Sequence, residues 1–191
     1  YEADFKSAVG FDALVAGTEN SSVNPVDIVG DTIPEMVLIV NGDVLNAYFS
    51  VYQLVDDEWI EMDRKTYTSM TYVQLSFEDQ LRYEDSSKSA FVIDVEEAGA
   101  KYVFKNLDVY MYDGTQQKLK RAVSFGVDVE YNEMQLLKAN QFSFKDISGN
   151  ELNYTFKNGQ FIDPQGKRLG EVIDEELAQM LGTTINSHYL T

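Results

Sequence analysis

Thirteen residues, Leu119 to Tyr131, alternate in strict period two. Leu119, Val123, Phe125, Val127, Val129 and Tyr131 share the odd positions with Arg121, while Lys120, Ala122, Ser124, Gly126, Asp128 and Glu130 fill the even ones. A helix of this sequence would scatter its apolar residues around the axis, whereas an antiparallel strand gathers them on one face. Leu107, Val109 and Met111 alternate in the same way just before it, and Asp113-Gly114 supplies the turn of a hairpin.

The pattern recurs along the chain. Met36–Val40 precedes the turn Asn41-Gly42-Asp43, and Val44–Val55 runs through Asp56-Asp57 into Glu58–Met62. Val73, Leu75 and Phe77 alternate, as do Phe91, Ile93 and Val95, and Leu152, Tyr154 and Phe156 lead through Asn158-Gly159 into Phe161-Ile162. About nine or ten short strands predict a mainly β chain, an antiparallel sandwich or barrel.

Helix is expected in one short C-terminal piece, residues 171–181, where Ile173, Leu177, Met180 and Leu181 share a face and Gly182 follows. Residues 1–17 read as an N-terminal extension whose Phe5, Val9, Phe11 and Val15 fit a strand that a neighbouring copy could receive, although the Ala and Leu content also permits a helix. Residues 18–31, polar and holding Pro25 and Gly30, read as a loop or linker, and 32–191 as the β domain.

The residue inventory narrows the chemistry. With 191 residues and no cysteine, the chain has no thiolate nucleophile, disulfide or zinc–sulfur site. Its one histidine, His188, lies near the end, so neither a multi-histidine metal site nor a Ser-His-Asp triad is expected. Gly166-Lys167-Arg168 lacks the hydroxyl residue of a phosphate loop. A formal charge of −17 opposes nucleic-acid binding, which rests on cationic neutralisation of phosphates. The longest wholly aliphatic stretch, Met36–Val40, is too short to span a bilayer, so membrane insertion is not expected. Asp146, Ser148 and Asn150 place oxygens as a calcium loop begins, yet Glu151 stands where glycine is needed and Lys157 where glutamate is needed. A hairpin turn is the primary reading there, with calcium the one cofactor left open. Paired carboxylates could cleave glycosides, but 32 acidic residues single out no pair.

Two features point instead to association. Tyr102, Phe104, Tyr110 and Tyr112 fall on one face of a strand-like run, opposite Leu107, Val109 and Met111. Exposed, those rings suit a protein interface or stacking on a ligand; buried, they are the second core of a sheet covered on both faces. Sheet edges, moreover, carry unpaired backbone groups that a neighbour's strand can complete. The expectation is a non-enzymatic structural or assembly subunit of an extracellular or surface-associated filament or virion, forming homo-oligomers by strand addition and aromatic contacts. The alternative is a carbohydrate- or ligand-binding module, with calcium as a stabilising ion.

Overall fold

The computed structural model describes residues 1–98, 103–128, 135–138, 140–145 and 151–169. These residues are mainly β, with every strand pair antiparallel. Two short helices, α1 (Glu2–Val9) and α2 (Phe11–Leu14), come first. The first sheet then runs in simple succession through β1 (Ser22–Val26), β2 (Glu35–Asp43), β3 (Asn46–Val55) and β4 (Glu58–Thr68). The middle sheet repeats that order with β5 (Tyr72–Arg82), β6 (Ser89–Ala98), β7 (Val103–Asp113) and β8 (Lys118–Asp128). A third sheet holds β9 (Gln135–Lys138), β10 (Gln141–Lys145), β11 (Glu151–Lys157) and β12 (Gln160–Ile162), again in chain order. Such nearest-neighbour hairpins keep each connection short.

The side-chain alternation decides how these sheets meet. From the first sheet, Val37, Ile39, Phe49 and Val51 join Leu75, Phe91, Ile93 and Tyr110 of the middle sheet in one core. The opposite face of the middle sheet, with Leu81, Val92, Leu107 and Val109, meets Phe142, Tyr154, Phe156 and Phe161 of the third. β6 is therefore buried on both faces from Ser89 to Val95, which is why its sequence reads as a nearly continuous apolar run. On the far side of the first sheet, Val23, Met36, Leu38 and Val40 pack under Phe5 of α1.

Three expectations need correction or relocation. Within residues 1–17, Glu2–Val9 and Phe11–Leu14 are helical rather than extended. Ala3, Ala8 and Ala13 are strong helix formers, Phe5 and Val9 stand four apart on one side, and Lys6 pairs with Glu2 at 2.6 Å across one turn. Gly10 then stops α1 in the left-handed conformation (φ 64°), its N–H turned to the carbonyls of Lys6 and Ser7. Within the stretch 18–31, expected to be loop, residues 22–26 form β1, in register with Glu35–Ile39. Pro25 is compatible with that because β1 lies at a sheet edge, where its missing N–H interrupts no ladder. The helix expected at 171–181 lies outside the described residues.

Candidate functional site: the sheet edges

The aromatic face proposed from sequence is only partly described, and the part that is described is not a free surface. Tyr102 lies outside the described residues, and Phe104 sits in β7 between Glu97 of β6 and Asp128 of β8 in register. Tyr110 is only 3% exposed, its ring 4.8 Å from Phe49 and 5.7 Å from Phe91. Tyr112 is half-buried on the same side, with the Lys88 ammonium 5.8 Å from its ring centre. Alternation did place these two tyrosines opposite Leu107, Val109 and Met111. Because both faces of the middle sheet are covered, however, Tyr110 serves the core and offers no stacking platform.

A polar seam closes the space between β4 and β8. The Tyr67 hydroxyl donates to Asp108 Oδ2 at 2.8 Å and lies 2.6 Å from the Tyr110 hydroxyl. Arg121 Nη1 reaches the same carboxylate oxygen at 3.2 Å. Burial pushes the Tyr110 phenol up to about 12 and Tyr67 well above the ordinary phenol range, with neighbouring Asp108 adding to both. Both phenols therefore keep their protons at neutral pH and act as hydrogen-bond donors. Asp108 is 1% exposed, and its Oδ1 has no partner among the described residues. Further along, Asp63 Oδ2 of β4 accepts the Leu119 N–H of β8 at 3.1 Å and pairs with Lys65 at 2.9 Å. These groups fasten β4 to β7 and β8.

The edges of the sheets differ in how their free backbone groups are handled. On β5, the Val73 N–H goes to the Val44 carbonyl at 2.9 Å. The Asn41 side chain then engages Leu75 twice, accepting its N–H at 2.7 Å and donating to its carbonyl at 3.0 Å. Asn140 repeats the arrangement at the other end of the strand, with both contacts to Arg82 at 2.9 Å. A side-chain amide carries one acceptor and two donors, so each asparagine stands in for one residue of a missing neighbouring strand. Between them the register slips at Phe77/Asp79, a bulge that interrupts any regular ladder. The β5 edge is clamped near both ends.

Other edges are blunted by other means. β1 is five residues long and contains Pro25, and β12 has three residues. β4 carries Glu58, Glu61, Asp63, Arg64 and Lys65, with a bulge opposite Val51/Tyr52. On its surface Arg64 grips Glu61 through Nη2 at 2.6 Å and Nε at 3.1 Å, and lies over the Tyr48 ring at 4.6 Å.

β8 differs from these edges. Its Leu119 N–H points away from β7, to Asp63. Counting on by twos, and stepping one residue at the bulge opposite Val109/Tyr110, the outward backbone groups beyond the seam belong to Ser124, Gly126 and Asp128. No charged residue or proline stands from Ser124 to Val127. Among the described residues no hydrogen bond is made to the outer side of this half of the strand.

The strand-exchange residues Phe5, Val9, Phe11 and Val15 take another role. Phe5 is fully buried, its ring 5.1 Å from both Tyr52 and Trp59, and Val9 and Phe11 pack partly against the same cluster. Val15 is the residue that ends α2. A buried phenylalanine on a docked helix is not an open strand, so strand donation by this segment is not its described conformation.

Asn41, Asn140, Asp63, Tyr67 and Asp108 were not picked out by sequence reasoning. Asn41 reads as a turn residue, and its partner Leu75 is 34 positions away, so no local pattern could reveal the clamp. Among the described residues no group of three or more His, Asp or Glu side chains is placed to hold a metal ion, and the calcium candidates Asp146, Ser148 and Asn150 lie outside them. No described helix is long and apolar enough to cross a membrane. No protein-family model matches the chain, and no curated protein matches it.

Proposed function

We propose that this chain is a non-enzymatic assembly subunit whose copies associate by adding a strand to the β8 edge of the middle sheet. The first and middle sheets act as a β-sandwich that holds this edge rigid, and the product is an extracellular or surface-associated homo-oligomer such as a filament or a virion shell. One observation carries the reading: β8 is a long edge strand in which Ser124–Val127 has no charge or proline and, among the described residues, no clamp of the kind found on β5. Backbone pairing supplies the attraction in such an addition, and the side chains on alternate positions set the register. A net charge of −17 keeps subunits soluble and makes association stronger as salt screens their repulsion. The ligand-binding alternative loses its stacking platform with Tyr110 in the core.

Ser124→Pro tests the proposal. Proline at an outward-facing edge position removes the donor a neighbour would use and leaves the β7–β8 ladder intact. Light scattering on the full chain over a concentration series is expected to show growth in mass for the parent and a monomer for Ser124→Pro, with thermal melting unchanged. A parent chain that stays monomeric at high concentration, or a variant that associates equally well, overturns it.

A further inference from the structure

We infer that α1 is an exchangeable clip, and that the seat on the first sheet formed by Tyr52 and Trp59 accepts α1 of a second copy as well as its own. The occupant of this seat is visible: Phe5, fully buried, with ring centres 5.1 Å from Tyr52 and Trp59. Any second copy carries the same Phe5, so complementarity in trans is guaranteed by complementarity in cis.

The attachment of the clip to the body favours exchange. Phe5 is the one fully buried side chain of α1, and α2 has none. An eight-residue helix is too short to persist alone in water, so α1 is helical when seated and unwinds when it leaves. Beyond the partial contacts of Val9 and Phe11 with the same cluster, the chain is next hydrogen-bonded to the sheets at Asn20 and Ser21, whose carbonyl and hydroxyl meet Asn41 at 3.1 Å each. Between the helix and that anchor lie Gly10 (φ +64°) and Gly17 (φ +82°), and among the described residues nothing lies within 4 Å of where a Cβ would stand on either. The connection is thus unpacked at two hinge points. Residues 10–19 extended would span about 35 Å, enough to reach a neighbouring copy.

Exchange of a helix into a side-chain seat uses no sheet edge, so it is independent of the β8 contact. In dilute solution the tethered seat is filled in cis, because a short flexible link gives an effective concentration on the order of millimolar. Trans occupancy rises as the protein concentration approaches that range.

The test uses two versions of the full chain. One carries a photo-reactive benzoylphenylalanine in place of Phe5, and the other is unsubstituted and isotopically heavy. The two are unfolded together, refolded at high and at low concentration, irradiated and digested. Cross-links from position 5 of the light chain to heavy peptides containing Tyr52 or Trp59 are expected in the concentrated sample, and to fall away on dilute refolding. A second probe at half-buried Val9 gives the same readout if the first does not fold. Placing Ser124→Pro in both chains is expected to leave the mixed cross-links in place, which separates this contact from strand addition. Cross-links confined to light peptides at every concentration, with both probes, overturn the inference.

Discussion

The two edges of the middle sheet, β5 and β8, are of equal length and belong to the same twisted layer, yet they are finished differently. Along β5, the outward N–H groups of Val73, Leu75 and Arg82 are taken, those of Leu75 and Arg82 together with their carbonyls by asparagine side chains that imitate a neighbouring strand. Along β8, one outward N–H is taken, that of Leu119, and Ser124, Gly126 and Asp128 follow with none taken among the described residues. An edge strand is a template for further pairing unless something blocks it. Among the described residues, one edge is clamped by paired amides and the second half of the other is not, and the proposed association uses that difference.

The largest expected effect comes from releasing the clamped edge. Asn41→Ala removes both partners of a buried N–H and carbonyl on Leu75, and is expected to lower stability by about 3 kcal/mol. Asn140→Ala removes the same pair of contacts from Arg82 at an exposed position and is expected to cost about 1 kcal/mol. Urea denaturation of both variants checks the ordering. If the two cost the same, burial is not what makes the β5 clamp strong, and the contrast between the edges weakens.

A smaller change should sharpen the contrast from the other side. Asp63→Ala releases the Leu119 N–H and is expected to cost about 1 kcal/mol while lengthening the free part of β8. Sedimentation at fixed concentration should then show stronger association than in the parent. Weaker association would mean that the seam between β4 and β8 supports the contact instead of limiting it.

The smallest effect is one of pH and lies away from both edges, so it serves as the control. Glu35 is buried, with Oε2 accepting the Ile28 and Val29 N–H groups at 2.7 and 3.1 Å and Oε1 unpartnered among the described residues. Burial raises its pKa above the ordinary value of 4.5, outweighing those two hydrogen bonds, and Asp31 adds to the rise. A raised carboxyl favours the protonated folded state. Its contribution is therefore complete below about pH 4.5 and is lost as pH rises through the folded value. Glu35→Gln is expected to flatten that slope in melting curves taken across the acid range, without altering association.

The sequence made some of this visible and hid the rest for physical reasons. Alternation in Leu107–Met111 and Leu119–Phe125 located β7 and β8, and the turn pairs at Asp56-Asp57 and Asn158-Gly159 fixed two hairpins. Period two tells which side chains share a face, however, and not whether that face is covered. That is why Tyr110 could be placed opposite Val109 while burial and exposure of its face both stayed open. β1 was hidden because Pro25 and its polar neighbours resemble a linker, and only an edge position makes them a strand. Phe5, Val9, Phe11 and Val15 all lie on odd positions, so they satisfied a strand pattern, while Phe5 and Val9 equally satisfied a helix. The Gly10 stop and the seat between Tyr52 and Trp59 decided for the helix. The asparagine clamps were illegible because a hydrogen bond across 34 or 58 positions leaves no periodic trace.

Amide hydrogen exchange, residue by residue and at two protein concentrations, tests the contrast between the edges most directly. The account predicts that the Val73, Leu75 and Arg82 amides are protected equally in dilute and concentrated samples, while those of Ser124 and Gly126 exchange freely when dilute and become protected when concentrated. Ser124 and Gly126 amides that exchange freely at both concentrations, or are already protected in the dilute monomer, would contradict it.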